Sequence, residues 1–245
     1  MELRPAGDRG ILAVLDRTIA ASALHAAARA AESVEGVLAC IPGHSSLLTI
    51  WSGTPDREAL RDAIVGAEAA AGDDAVRLHR IAVSFRDGTD LAEFLLHAGL
   101  SLDQFLPRVA ALRLTARYLG FRAGFAYLDG WPEEWAMPRR ATSRPHVDAG
   151  TFAIAGSTAG IYPIDSPGGW NLLGRTDAAL WDEDREPPNL IAPGDAVEIV
   201  PTTAPIAPRR RAGKQVRLEL SYAEVIAAPL AQIVPAADWR RVVTG

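Results

Sequence analysis

The chain has 245 residues, 49% hydrophobic and 22% charged, so it can bury a core and wholesale disorder is excluded. A formal net charge of −5 argues against a broadly basic nucleic-acid surface, and the single cysteine, Cys40, excludes an internal disulfide framework or a multi-cysteine zinc site. No apolar run approaches the about 20 residues of a membrane helix, and the opening Met1–Pro5 lacks a signal-peptide pattern, so a soluble cytoplasmic protein is expected, with no membrane contact.

In chain order, Ile11–Leu15 is an apolar run of strand length. Thr18–Ala31 is rich in alanine, which loses no side-chain entropy in a helix. Val37–Ile41 and Leu47–Trp51 are strand candidates, the first halted by Pro42-Gly43. Pro55 and Asp56 suit the first turn of a helix whose apolar face carries Leu60, Ile64 and Val65. Arg77–Phe85 alternates as a strand and ends a small α+β domain, residues 1–85. A helical bridge, residues 86–118, follows. Asp90 is read as the N-cap of a helix through Leu91, Phe94 and Leu95, stopped by Gly99. Ser101 caps the next, through Leu102, Phe105, Val109 and Leu112.

From residue 119 to 201 the texture changes to frequent Gly and Pro between short strands, among them Thr151–Ala155, Gly160–Tyr162 and Ala196–Val200, the last fed by the turn Pro193-Gly194-Asp195. That pattern indicates a β-barrel or sandwich. Residues 202–214 read as a Pro/Arg linker, and residues 215–245 as an extension with a strand at Val216–Leu220.

Most catalytic signatures are absent. Gly213-Lys214 is followed by Gln215 and is no Walker loop, and no G-x-G-x-x-G opens a helix. His25, His44, His79, His97 and His146 are scattered without ligand spacing; they read as surface or capped side chains, and no metal is expected. Asp129, Glu133 and Glu134 read as a solvated loop, and no nucleophile elbow supports a triad of Ser166, His146 and Asp165.

The chemistry concentrates in Gly120–Leu128, Met137–Thr142 and Gly160–Thr176. Gly168 and Gly169 lack a Cβ and let a ligand approach the backbone closely. Arg139, Arg140 and Arg175 are of the type that clamps carboxylate or phosphate, and Asp165 can orient an amide N–H or act as a base. The same residues also read as a plain hairpin turn, with Trp170 in the core and Asp165 capping the turn. On residue types alone both readings stand.

The strings GFRAGFAYLDG, MPRRAT, GIYPIDSPGGWNLLGRT, DREPP and PGD, with RPAGDRGIL and PGHSSLLTIW near the start, resemble the family of the B-type 5-oxoprolinase subunits. That family also takes in allophanate hydrolase subunit 1, the matching segment of urea carboxylase, and a bacterial inhibitor of a sporulation histidine kinase. The resemblance implies an α+β N-terminal domain followed by a cyclophilin-like closed β-barrel. It implies a C-type partner subunit with a related barrel, a lactam-utilisation A-type subunit, and ATP (with Mg) in the assembled complex, none of it held by a recognisable motif in this chain. The implied reaction is ATP-dependent opening of 5-oxoproline to glutamate, inactive without partners. The alternatives are a subunit acting on urea-type amides and a non-enzymatic kinase inhibitor.

On this reading Asp165 and Arg175 are the catalytic candidates. Arg139, Arg140, Tyr162, Ser166, Gly168, Gly169, Trp170, Asn171, Gly124 and Phe125 are the candidates around a small amide substrate. The sequence departs from the family pattern at Ala123, where a proline is usual, and at Ser157-Thr158-Ala159, where Gly-Gln-Thr is usual.

Overall fold

The computed structural model describes residues 1–70, 77–86, 88–202 and 204–207. The strand expected at Val216–Leu220, the C-terminal extension and most of the linker lie outside the described residues.

The N-terminal part pairs β1 (Glu2–Pro5), β2 (Gly10–Val14), β3 (Val37–Pro42) and β4 (Ser46–Trp51) into an antiparallel sheet of order β1-β2-β4-β3, with helices α1 (Ala21–Glu32) and α2 (Arg57–Ala70). Period-two alternation sends Leu47, Thr49 and Trp51 of β4 inward, onto Leu24 of α1 and Leu60 and Ile64 of α2. The polar member of that face is satisfied: Thr49 donates its hydroxyl to the Ile11 carbonyl at 3.2 Å and accepts the Trp51 indole N–H at 2.9 Å. Asp56 starts α2 by accepting the N–H groups of Glu58 and Ala59. Val65, expected on the buried face, is 51% exposed, because Leu60 and Ile64 are one helical turn apart and Val65 falls off their stripe.

The remainder is a closed seven-stranded barrel of order β10-β7-β6-β13-β5-β12-β9, sealed by β9 against β10. Its staves are β5 (Leu78–Ser84), β6 (Arg113–Leu119), β7 (Ala126–Asp129), β9 (Thr151–Ala155), β10 (Thr158–Ile161), β12 (Asn171–Arg175) and β13 (Ala196–Thr202). Helices α3 (Leu91–Ala98) and α4 (Leu102–Ala110) pack against it. A two-stranded ribbon, β8 (Arg144–Val147) with β11 (Ser166–Gly168), stands outside the barrel order. The expected Ser101 cap is present and goes further than expected, forming a capping box in which Ser101 and Gln104 exchange bonds at 3.2 and 2.9 Å. Phe94 and Phe105 carry α3 and α4 onto a ring cluster with Phe85, Trp131, Trp135 and Phe152.

Two expected boundaries differ. The strand assigned to the end of the N-terminal domain is a barrel stave: β5 runs parallel to β13 from Leu78↔Ala196 to Ser84↔Thr202 and touches β12 at Arg175. Alternation marks a half-buried strand but not the sheet that takes it, and these partners are far along the chain. The helical bridge ends earlier than residue 118, since β6 starts at Arg113.

Arg117 of β6 joins the two parts. Its buried guanidinium donates to Asp129 at 2.6 Å within the barrel, and to the carbonyls of Ile19 and His44 in the N-terminal part. His25 returns a bond to the Arg117 carbonyl. His25 and His79 are buried rather than on the surface, each with a partner, His79 meeting Asp195 at 2.7 Å. Among the described residues no helix is long and apolar enough to cross a membrane.

Candidate ligand clefts

The β6–β7 connection folds into a tight turn in which Gly120 N–H reaches the Phe125 carbonyl and Phe125 N–H the Arg122 carbonyl. Phe121 sits there at φ 63°, a left-handed conformation unusual for an aromatic residue, and is 52% exposed. Its ring meets Phe125 and Tyr162 edge-on at 5.5 and 6.2 Å. Phe125 in turn contacts Tyr127, Tyr162 and Trp170 at 5.0, 5.5 and 5.4 Å. These rings, with Arg139, Ser143, Pro167 and Gly168, line a cleft of about 290 Å³.

Gly168 faces that cleft for a packing reason. A Cβ there would collide with the Tyr162 hydroxyl, so glycine is what lets Tyr162 lie under the ribbon. Burial pushes the Tyr127 and Tyr162 phenols up, against the pull of the Arg139 charge. Arg139 is exposed at the mouth and has no carboxylate partner among the described residues.

A second cleft, of about 170 Å³, is lined by Arg144, His146, Asp148, Thr151, Arg175 and the backbone at Gly88 and Gly174, among others. Arg175 donates Nη2–H to Asp148 at 2.8 Å, and His146 meets the other Asp148 oxygen at 2.7 Å. Arg175 first, then His146, holds the Asp148 carboxyl below its ordinary range. The ribbon serves both clefts, with Arg144 and Val147 in the smaller one and Pro167 and Gly168 in the aromatic one.

The structure therefore gathers Arg139, Tyr162, Gly168, Trp170 and Phe125 and separates them from Arg175. The other expected site residues have other partners. Asp165 lines neither cleft; it is exposed and accepts the Ala149 N–H at 2.8 Å. Its carboxylate lies within 4.8 Å of the His146 and Asp148 donor atoms, a grouping in which both Asp148 oxygens are bonded to Arg175 and His146 and one Asp165 oxygen to the Ala149 amide. Arg140 reaches Asp90 and Glu93, each at 3.3 Å. Ser166 and Asn171 are buried and donate to the carbonyls of Ile164 and Pro138, both at 3.0 Å. Gly169 carries the carbonyl that accepts Arg140 N–H at 2.8 Å. Gly124, at φ 82°, would place a Cβ 2.8 Å from Trp181, so it serves the turn and its packing.

Sequence reasoning missed Phe121, Tyr127 and Ser143, although the aromatic spacing of Gly120–Leu128 carried a signal for the first two. It also misread Asp90. That side chain caps no helix; it accepts Leu172 N–H at 2.7 Å and Arg144 Nη2–H at 2.6 Å.

The family model of the carboxyltransferase domain, subdomains C and D, matches residues 1–191. The chain belongs to this carboxyltransferase-domain family, which holds the B-type 5-oxoprolinase subunits. Among its members, the B-type 5-oxoprolinase subunit of Bacillus subtilis (strain 168) is 32% identical over 195 residues, covering 72% of this chain and 81% of that protein. The B-type 5-oxoprolinase subunit of Escherichia coli O157:H7 is 43% identical over 114 residues, which is 46% of this chain and 52% of that protein, so the match spans about half of that relative. The crystal structure of TTHA0988 superposes with a TM-score of 0.67 at 32% identity, over 83% of this chain and 42% of that one. The family expected from Gly160–Thr176 is the one found, and the closed barrel is the fold it implies.

Proposed function

We propose that this chain is the B-type subunit of a cytoplasmic, ATP-dependent 5-oxoprolinase, and that the aromatic cleft receives 5-oxoproline. Membership of the family supports the reaction class. The observation that carries the substrate is Arg139, a guanidinium without a carboxylate partner among the described residues, at the mouth of a pocket walled by aromatic rings. A small lactam ring with a carboxylate matches both features: the rings cover its faces, and Arg139 pairs with its charge. The Tyr127 and Tyr162 hydroxyls, protonated at neutral pH as ordinary phenols are, can donate to the lactam oxygen as negative charge develops on it. Net, one water adds across the ring C–N bond, giving glutamate.

ATP does not fit either cleft. The aromatic one offers a single cation and no carboxylate for Mg²⁺, and the other, at about 170 Å³, is too small for a nucleotide. We place ATP outside these two clefts. We take the partners to be a C-type subunit and an A-type lactam-utilisation subunit, with the chain inactive alone.

The test is reconstitution with both partners and measurement of ATP-coupled glutamate release. Arg139→Gln is expected to raise KM for 5-oxoproline by about 10- to 100-fold, the loss of a charge-assisted hydrogen bond, with kcat less affected. An unchanged KM overturns the cleft assignment, and turnover by the isolated chain overturns the partner dependence.

A further inference from the structure

We propose that the smaller cleft, at Arg175, Arg144 and His146, binds a small oxyanion of the phosphate type, at a position separate from the aromatic cleft. Such binding goes beyond the lactam reading and does not depend on it, since it needs this chain alone and no turnover.

The cavity, about 170 Å³, falls below the roughly 300 Å³ at which pockets for larger organic ligands begin, which suits a single phosphate-sized group. Its polar lining is dominated by donors: two guanidinium groups and an imidazole against the one carboxylate of Asp148. Both guanidinium groups are fixed before any ligand arrives. Arg144 is held by Asp90 at 2.6 Å and by the Trp170 carbonyl at 3.1 Å, and Arg175 by Asp148 at 2.8 Å. Planar forks held in this way lose little further freedom when they bind an anion.

These anchors do not use up the donors. The Nη1 group of Arg175 is buried and has no hydrogen-bond partner among the described residues. An unsatisfied buried donor costs about 1–3 kcal/mol, more when charged. An oxyanion oxygen is the acceptor that a guanidinium edge favours.

Asp90 and Asp148 offset the charges of the two arginines, and Asp165 stands beside His146 and Asp148 with one oxygen on the Ala149 amide. Binding therefore rests on directed donors more than on net charge, and a millimolar affinity at low ionic strength is expected.

The experiment is a titration of the full chain with inorganic phosphate, followed by ¹H–¹⁵N NMR at low ionic strength, with acetate titrated in parallel. Saturable shifts are expected at the amides of Thr151, Gly174 and Arg175. They should weaken about tenfold or more in Arg175→Gln and stay unchanged in Arg139→Gln, whose residue belongs to the other cleft. Should Arg175→Gln fail to fold, His146→Gln, at an exposed position, keeps the fold and is expected to weaken binding measurably. Shifts that never saturate and scatter over surface arginines overturn the proposal, as do saturable shifts centred on Tyr127 and Trp170. Acetate binding as tightly as phosphate overturns the phosphate assignment.

Discussion

Asp90 and Arg144 meet at 2.6 Å, and through that contact the entry to α3 holds the ribbon that walls both clefts. The Asp90 carboxylate is 5% exposed and also accepts the Leu172 amide, while Arg144 passes a second bond to the Trp170 carbonyl. Arg140, on the other side of Ser143, reaches the same carboxylate and donates its backbone N–H to Gly169. The segment from residue 140 to 144 and the segment from 169 to 172 are thus tied to one buried anion.

Replacing that anion should cost stability. Asp90→Asn keeps an acceptor for Leu172 but leaves Arg144, itself only partly exposed, without its charged partner. The expected loss is about 2–3 kcal/mol, read from urea unfolding midpoints. A loss below about 0.5 kcal/mol would mean that the ribbon is held by packing alone.

Gly168→Ala should act on the aromatic cleft through Tyr162. The added methyl would collide with the phenol oxygen and force the ring or the ribbon to move, at an expected 1–3 kcal/mol of overpacking, about the usual range. Removing the oxygen in the double variant Gly168→Ala, Tyr162→Phe should recover part of that loss, because the closest contact is gone. A thermodynamic cycle over the two single variants and the double measures the coupling.

Asp165→Asn should leave folding and turnover of the reconstituted complex nearly unchanged, within about 0.5 kcal/mol in either reading. The amide oxygen of Asn can accept the Ala149 N–H as the carboxylate does, and the residue lines neither cleft. A hundredfold fall in turnover with intact folding would restore the proton-handling role to Asp165.

The depressed pKa of Asp148 gives a pH-dependent prediction. A carboxyl whose folded value lies below its unfolded value contributes stability above about pH 4, and that contribution disappears as pH falls through the folded value. The stability gap between the wild type and Asp148→Asn should therefore be present at neutral pH and close on acidification below about pH 4. With 37% of the Asp148 side chain exposed, solvent screening keeps the gap small. Urea midpoints at neutral and strongly acid pH check it; a gap that persists in acid would mean that the ion pair with Arg175 contributes nothing.

Local signals were legible where local physics decides. The Ser101 cap, the Asp56 start of α2 and the strand β4 all depend on neighbours in sequence, and each appears where residue types place it. Gly168 was legible as a place of close approach, but the group that approaches is Tyr162 from this chain. Asp90 has the sequence signature of an N-cap and spends its carboxylate on partners 54 and 82 residues away, which no local pattern reports. Arg139 and Arg175 share a residue type, yet Arg139 lies ahead of β8 and lines the aromatic cleft, while Arg175 ends the stave β12 and lines the smaller one.

The parallel pairing of β5 with β13 has a consequence for synthesis. The N-terminal sheet can complete its pairing once Trp51 has emerged; α1 is made before that point and α2 is complete at Ala70. The stave β5 is made next, but its lateral neighbour comes much later: Arg80 and Glu198, which meet across the two strands, are 118 residues apart. Until then β5 presents an open strand edge, the kind of surface that recruits other chains, and closing so long a loop is slow. At usual elongation rates of about 5–20 residues per second, that exposure lasts several seconds on the ribosome. Truncations ending before Ala196 should therefore yield aggregates carrying a folded N-terminal part, whereas a chain ending just past Thr202 has every stave it needs to close.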